Sequence, residues 1–474
     1  MNQRVDKKYF LLPFRFDRIS DNEIIVNEVG DYLITPVGTA KKIVDRKINE
    51  NEPLFKDLMA NHFISSNIIP ETIDNLAVRY RTKKSFLDSF TALHIFVLTL
   101  RCNQNCIYCQ ASSKTIDKNK FDISYETLDY SIELMFHSPS PFLTMEFQGG
   151  ESSLVFDKIK YAVNRANDIN IVKKRQITYV LCTNSVNLSD ELLDFCKQNK
   201  ILISTSLDGP EFIHNNNRGS KKSYKKVLEG IEKARKVLGY DNVSALMTTS
   251  TLSLEYPKEI IDSYLDNGFT NIFLRSLNPY GLAINSDDWQ VYNERFIEFY
   301  KQALDYIIEI NKKGIYFEES FTCIILKKIL TPFSMGFVDL QSPAGIINNV
   351  IVYNYDGKVY ASDESRMLAE QGDYTFCLGN VKEPYENIFY GEKAMKIAKS
   401  WSNESLAGCS DCAYQAYCGA DPVRNYTTQN DMEGHRPSSL SCKKHKSIIE
   451  HIFSLLIYRK EEVMPIFKNW INKV

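Results

Sequence analysis

From Ala92 to about Leu277 the chain alternates short apolar runs with longer stretches in which apolar residues recur every three to four positions. The short runs have the length and β-branched content of buried strands, and the longer ones bury one helical face. Six strands are predicted: Leu93–Leu100, Phe142–Gln148, Ile177–Cys182, Ile201–Ser206, Val243–Thr248 and Ile272–Leu277. Helices are predicted between them over Tyr125–Phe136, Asp157–Ile169, Glu191–Gln198, Tyr224–Leu238 and Pro257–Asn267. Strand and helix taken in turn make a parallel sheet covered by helices, an α/β class whose form here is a partial (β/α)6, TIM-like barrel.

The flanks follow other patterns. Phe14 to Ile69 reads as a small α+β unit: strand-like Glu23–Val29, a turn at Gly30-Asp31, strand-like Tyr32–Thr35, then helical Ala40–Ile48 and Leu54–Phe63. Polar Thr82–Ser89 links it to the barrel. After a helical connection over Asp288–Lys313 the chain turns irregular and cysteine-bearing from Ser342 to Cys442, and ends in helical Lys446–Lys460. At roughly 150 residues per domain, 474 residues accommodate these three units, expected over 1–85, 86–330 and 331–474.

Hydrophobic residues at 44% and aromatics at 12% supply real cores and argue against disorder. A formal net charge of -2 gives no global reason to expect nucleic acid or an acidic membrane as partner. No targeting segment is visible and no apolar run reaches 18 residues, so the expected location is the cytoplasm. There, 11 cysteines are too many to ignore and too odd in number for full disulfide pairing.

Cys102, Cys106 and Cys109 have the spacing C-x3-C-x2-C directly after the first predicted strand, at the end of a barrel where such folds keep their chemistry. Three soft ligands suit an iron-sulfur cluster with one open corner, whereas structural zinc wants a fourth ligand, and His94 is on the strand rather than in the loop. The segment, with Tyr108 before the last cysteine, resembles the signature of the radical S-adenosylmethionine (SAM) enzymes. That resemblance implies a [4Fe-4S] cluster whose open iron chelates SAM, cleaved after one-electron reduction to a 5'-deoxyadenosyl radical that abstracts a hydrogen atom.

Other strand ends resemble the same family. Gln148-Gly149-Gly150-Glu151 is similar to its Gly-Gly-Glu motif, which implies close backbone approach at Gly149 and Gly150 and a contact from Glu151 to the SAM ammonium. Thr183-Asn184, Ser206 and Asp208 stand where the family contacts ribose or the methionine carboxylate, and Arg218 resembles its arginine for that carboxylate. With Tyr108, these are the expected cofactor-binding residues. No catalytic base or radical quencher is singled out.

Cys409-x2-Cys412-x5-Cys418 with Cys442 gives four thiolates, a closed set for either zinc or a second [4Fe-4S] cluster. Cys409 to Tyr426 resembles the SPASM extension of peptide-modifying radical SAM enzymes, which implies one auxiliary [4Fe-4S] cluster. The fuller pattern of two is broken: Ser362 stands where a first ligand cysteine is usual and Pro422 where another follows. Cys182, Cys196, Cys323 and Cys377 remain, and are read as mostly structural. Residues 360–381, the Leu12–Phe16 start and the Asn27–Gly30 turn resemble the maturase of the His-Xaa-Ser peptide system.

The N-terminal unit resembles the winged-helix-like modules that grip a leader peptide by β-strand addition, and reads equally as a packing appendage. The leading expectation is an enzyme that crosslinks or oxidises a ribosomally made peptide or protein. Its electron would come from a donor such as flavodoxin or ferredoxin. A sulfatase maturase making formylglycine and a non-catalytic, zinc-stapled binding protein are the alternatives.

Overall fold

The computed structural model describes residues 9–66, 70–113, 117–285 and 288–472. Its centre is an eight-stranded sheet in the spatial order Val243–Leu246, Leu202–Ser206, Gln176–Thr183, Phe142–Gly149, Leu93–Thr99, Val350–Tyr353, Lys358–Tyr360 and Cys377–Asn380. The first six run parallel and the last two join antiparallel. Helices Tyr125–His137, Phe156–Lys173, Asp190–Asn199 and Ser223–Leu238 make the crossovers that parallel neighbours require. Their ends are written locally: Ser124 and Ser189 cap two N-termini by accepting from the amides of Thr127 and Leu192.

The predicted sixth strand, Ile272–Leu277, does not extend this sheet. Only Asn271–Ile272 is strand, paired parallel with Glu318–Glu319, and Ser276 meets Thr249 in a single bridge. Side chains serve the backbone there instead: Leu274 N donates to Glu319 at 3.1 Å and Leu277 N to Tyr292 Oη at 2.8 Å. At the opposite edge Val350–Tyr353, inside the region predicted to be irregular, pairs with the first barrel strand. All four of its residues are buried, as a strand covered on both faces demands.

In the N-terminal unit a third strand, Phe14–Ile19, joins the predicted hairpin, giving an antiparallel sheet of Phe14–Ile19, Asn22–Asn27 and Tyr32–Pro36. Helix Pro70–Lys83 runs into the stretch expected to be a polar linker. The hairpin turn seats on the C-terminal region. Tyr417 Oη donates to Gly30 O at 2.8 Å, and Gly30, at φ +83°, sits where a Cβ would lie 3.2 Å from Ala416. Tyr32 packs edge-on against Phe453. One apolar core runs from Ile24 and Val26 through the barrel to Trp470. Among the described residues no helix is long and apolar enough to cross a membrane.

Candidate active site

The loop after Leu93–Thr99 is anchored by Arg101, which grips Asp122 with Nε and Nη2, both at 2.7 Å. Along it Cys102 and Cys106 are half-buried while Asn103, Asn105 and Ile107 are exposed. The sulfurs meet donors: Gln104 N at 3.4 Å from Cys102 Sγ, Ser113 N at 3.5 Å from Cys109 Sγ, and Arg218 Nη1 at 4.0 Å from Cys106 Sγ. Burial raises the thiols of Cys102 and Cys106, Cys102 to about 12, so their deprotonation is a task for a bound metal. His94 is fully used elsewhere, between Tyr353 Oη at 3.0 Å and Thr91 O at 2.9 Å.

Cys102, Cys106 and Cys109 share one cavity of about 250 Å³ with Tyr108, Gly149, Gly150, Thr183, Asn184, Ser206 and Arg218, at the C-terminal ends of the parallel strands. Glycine is needed where two of these ends meet. A Cβ on Gly149 would lie 2.1 Å from Thr99 O, and one on Gly150 2.2 Å from Arg101 O. Thr205 also lines the cavity, and its buried Oγ1 has no partner in the structure. Soft sulfurs with amide donors around them, beside Ser204 and Ser206 on the next wall, fit a cluster carrying a polar cofactor.

Glu151 and Asp208 stand behind this wall rather than in it. Glu151, 1% exposed, accepts from Thr183 Oγ1 at 2.6 Å, Asn184 N at 2.7 Å and Ser153 N at 3.1 Å, so it fixes the next strand end. Asp208 accepts from Arg218 Nε at 3.1 Å and Nη2 at 3.0 Å and from Tyr108 Oη at 2.5 Å. Burial, the largest single influence, pushes the Asp208 carboxyl up, but the Arg218 and His214 charges and the hydrogen bonds from Arg218 and Tyr108 together hold the group below the ordinary value. The pair aims Arg218 across the Tyr108 ring toward Cys106.

Sequence reasoning missed three wall residues. Cys182, read as structural, lines the cavity, and burial beside Glu146 raises its thiol. Arg275 lines it too, from a segment without a motif, as does Asp363, within the 360–381 stretch that was given no site role. Ser362, where a ligand cysteine is usual, instead caps helix Asp363–Ala369 in a reciprocal box with Ser365, and this presents Asp363. The spacing Ser362-x2-Ser365 ahead of Met367-Leu368 was the available signal. Cys196 and Cys323 lie in the main core and Cys377 in a separate apolar cluster with Val350 and Tyr360.

Cys409, Cys412 and Cys442 stand near enough to Cys418 to raise its thiol further than burial alone does, and burial with Cys442 and Cys412 raises Cys409 to about 11. Cys442 enters on the first turn of helix Leu440–Tyr458, its amide held by Ser439 Oγ at 3.2 Å. Arg436 lies beside Cys409 and Cys442, Lys446 beside Cys412 and Cys442, and Lys328 beside Cys418. Arg436 and Lys446 suit the negative charge of a four-thiolate group, whereas burial lowers Lys328 to about 7. Among the described residues no three His, Cys, Asp or Glu side chains make the tight group that a single metal ion needs. In a [4Fe-4S] cube each thiolate binds a different iron, so the sulfurs stand further apart than they would around a single ion.

Residues 96–274 match the family model of the Radical SAM superfamily. The cysteine-type anaerobic sulfatase-maturating enzyme of Clostridium perfringens (strain 13 / Type A) is 24% identical over 375 residues, 75% of this chain and 94% of that protein. Among solved structures, histidine-tagged anSMEcpe with bound AdoMet has a TM-score of 0.64 at 18% identity, covering 80% of this chain and 98% of the other. Streptococcus suis SuiB bound to its precursor peptide SuiA has a TM-score of 0.53 at 13% identity, covering 92% of this chain and 100% of the other.

Proposed function

We propose that this protein, a radical SAM enzyme with a [4Fe-4S] cluster and SAM at its first site, modifies a ribosomally made peptide or protein by hydrogen-atom abstraction, leaving a crosslink or an oxidised residue. The observation that carries it is the gathering of Cys102, Cys106 and Cys109 with four strand ends on one cavity, beside a second four-thiol set in the same chain. When bound, the cluster and SAM supply the 5'-deoxyadenosyl radical. The chain's own part is placement. Gly149 and Gly150 bring backbone to the cofactor, Glu151 holds Thr183 and Asn184, and Asp208 with Tyr108 orients Arg218 for the SAM carboxylate.

A peptide substrate is supported by the likeness to the SuiB complex and by the C-terminal cysteine set, whose auxiliary cluster would take up the electron released on oxidation. The resemblance to the His-Xaa-Ser maturase proposes the branch. Under it, residues 1–85 meet the precursor's leader, 86–330 do the radical chemistry and 331–474 hold the auxiliary cluster. The cytoplasm is the proposed location and flavodoxin or ferredoxin the proposed donor.

Formylglycine formation in a sulfatase is the second reading, favoured by sulfatase-maturating relatives that align with three quarters of this chain. Anaerobic iron and sulfide analysis with a SAM-cleavage assay tests the class: labile sulfide is expected, and a zinc-only protein has none. Mass spectrometry of peptides co-expressed from neighbouring reading frames, beside a sulfatase peptide carrying Cys or Ser, separates the two enzymatic readings.

A further inference from the structure

The first cysteine loop has an outer side that the cavity does not use. Asn103, Asn105 and Ile107 alternate with the inward cysteines, and Ile107 is 54% exposed. The loop is pinned from the side. Gln104 Nε2 donates to Ser223 Oγ at 2.7 Å and Ile107 N to Asn217 O at 2.9 Å, while a Cβ on Gly219 would sit 2.5 Å from Asn105 O. Ser223 opens helix Ser223–Leu238, so the same contacts fix the exposed Lys221, Lys222, Lys225 and Lys226 beside the loop. A bowl of about 820 Å³, lined by Cys102, Asn103, Asn105, Asp117, Lys120 and Ser220 among others, opens on this face.

Four lysines within six residues are a sharp local departure in a chain of net charge -2. An exposed aliphatic side chain, Ile107, stands next to Cys106 on the same outer side. We propose that this face docks an acidic one-electron carrier protein, which passes its electron through the Asn103–Ile107 rim to the first cluster. The carrier is oxidised by one electron and the cluster reduced by one, with no bond or proton moved. The proposal rests on the reading of Cys102, Cys106 and Cys109 as cluster ligands. Redox encounters use small, short-lived interfaces, and opposite charge raises their association rate.

The test is the full-length, reconstituted K221E/K222E/K225E/K226E protein, with flavodoxin as probe and dithionite as a reductant that needs no docking. A parallel Lys→Gln set and a melting curve guard against misfolding. Dithionite-driven SAM cleavage is expected to match wild type. Flavodoxin-driven cleavage at low ionic strength should fall about tenfold or more, and the wild-type advantage should fade with added salt. Calorimetry with oxidised flavodoxin, which needs no turnover, should show binding lost in the variant. Unchanged flavodoxin binding and rate would overturn the proposal, as would a variant that lost only the affinity for an acidic peptide. Absence of dithionite-driven cleavage in the wild type would instead overturn the cluster reading beneath it.

Discussion

Replacing Asp208 by Asn keeps the shape of a fully buried side chain and removes its charge. In the wild type the carboxylate takes two bonds from Arg218, one from Tyr108, and one each from Asn217 Nδ2 and Thr248 N at 3.3 Å. After the change the Arg218 charge stays buried, facing an amide that accepts at one end and donates at the other. Breaking a buried ion pair from one side costs about 3–5 kcal/mol. Unfolding entropy scales to about 1 kcal/mol/K for a chain of this length, so the melting temperature should drop by about 3–5 °C. The assay is thermal unfolding of the apoprotein at pH 7 followed by circular dichroism, with Arg218→Met and the double variant closing the cycle; the double variant should melt above D208N. The Asp208 carboxyl is held low in the fold. Its stabilisation is therefore present above the unfolded value of about 3.9 and lost as pH falls through the lower folded value, so the gap to D208N should close in acid. A shift under about 1 °C at pH 7, or a gap that widens in acid, would refute the reasoning.

Changing Cys102, Cys106 and Cys109 together to Ala should abolish SAM cleavage yet leave about four irons at the second site; a folded variant without iron would contradict two separate sites. Glu151→Gln cannot accept at both ends as the carboxylate does. It should weaken SAM binding about ten- to a hundredfold through Thr183 and Asn184 with iron content unchanged, and wild-type SAM affinity would remove Glu151 from the site. Deleting the first 80 residues strips partners from Tyr417, Phe453 and Glu404, so weaker precursor binding should come with a lower melting temperature. Unchanged melting and peptide affinity would refute both roles of the unit.

Five of the six predicted strands and the cavity's cysteines were legible because each rests on a local pattern: an apolar run of strand length, or thiols a few residues apart. What escaped is set at long range. Nothing in Val350–Tyr353 says that its partner is Leu93–Thr99, and Ile272–Leu277 has strand-like burial but finds side-chain acceptors where a ladder was expected. Pro70–Lys83 is mostly polar, with a stripe too thin to read as a helix. Glu151 was read as a contact to the cofactor, but its motif does not reveal that three donors of its own chain occupy the carboxylate.

The pairing of Leu93–Thr99 with Val350–Tyr353 also sets a timetable for synthesis. When the first strand leaves the ribosome, the neighbour that covers its outer edge lies more than 250 residues from being made. Until then the nascent barrel carries an open parallel edge, a template for unwanted pairing with other chains. The same interval leaves the cysteine loop unroofed, since Gly281, which closes on Cys109, and Arg366, which reaches Ala111, both arrive later. Chains cut short anywhere before residue 350 should therefore fail by aggregation rather than by loss of the cysteine motif.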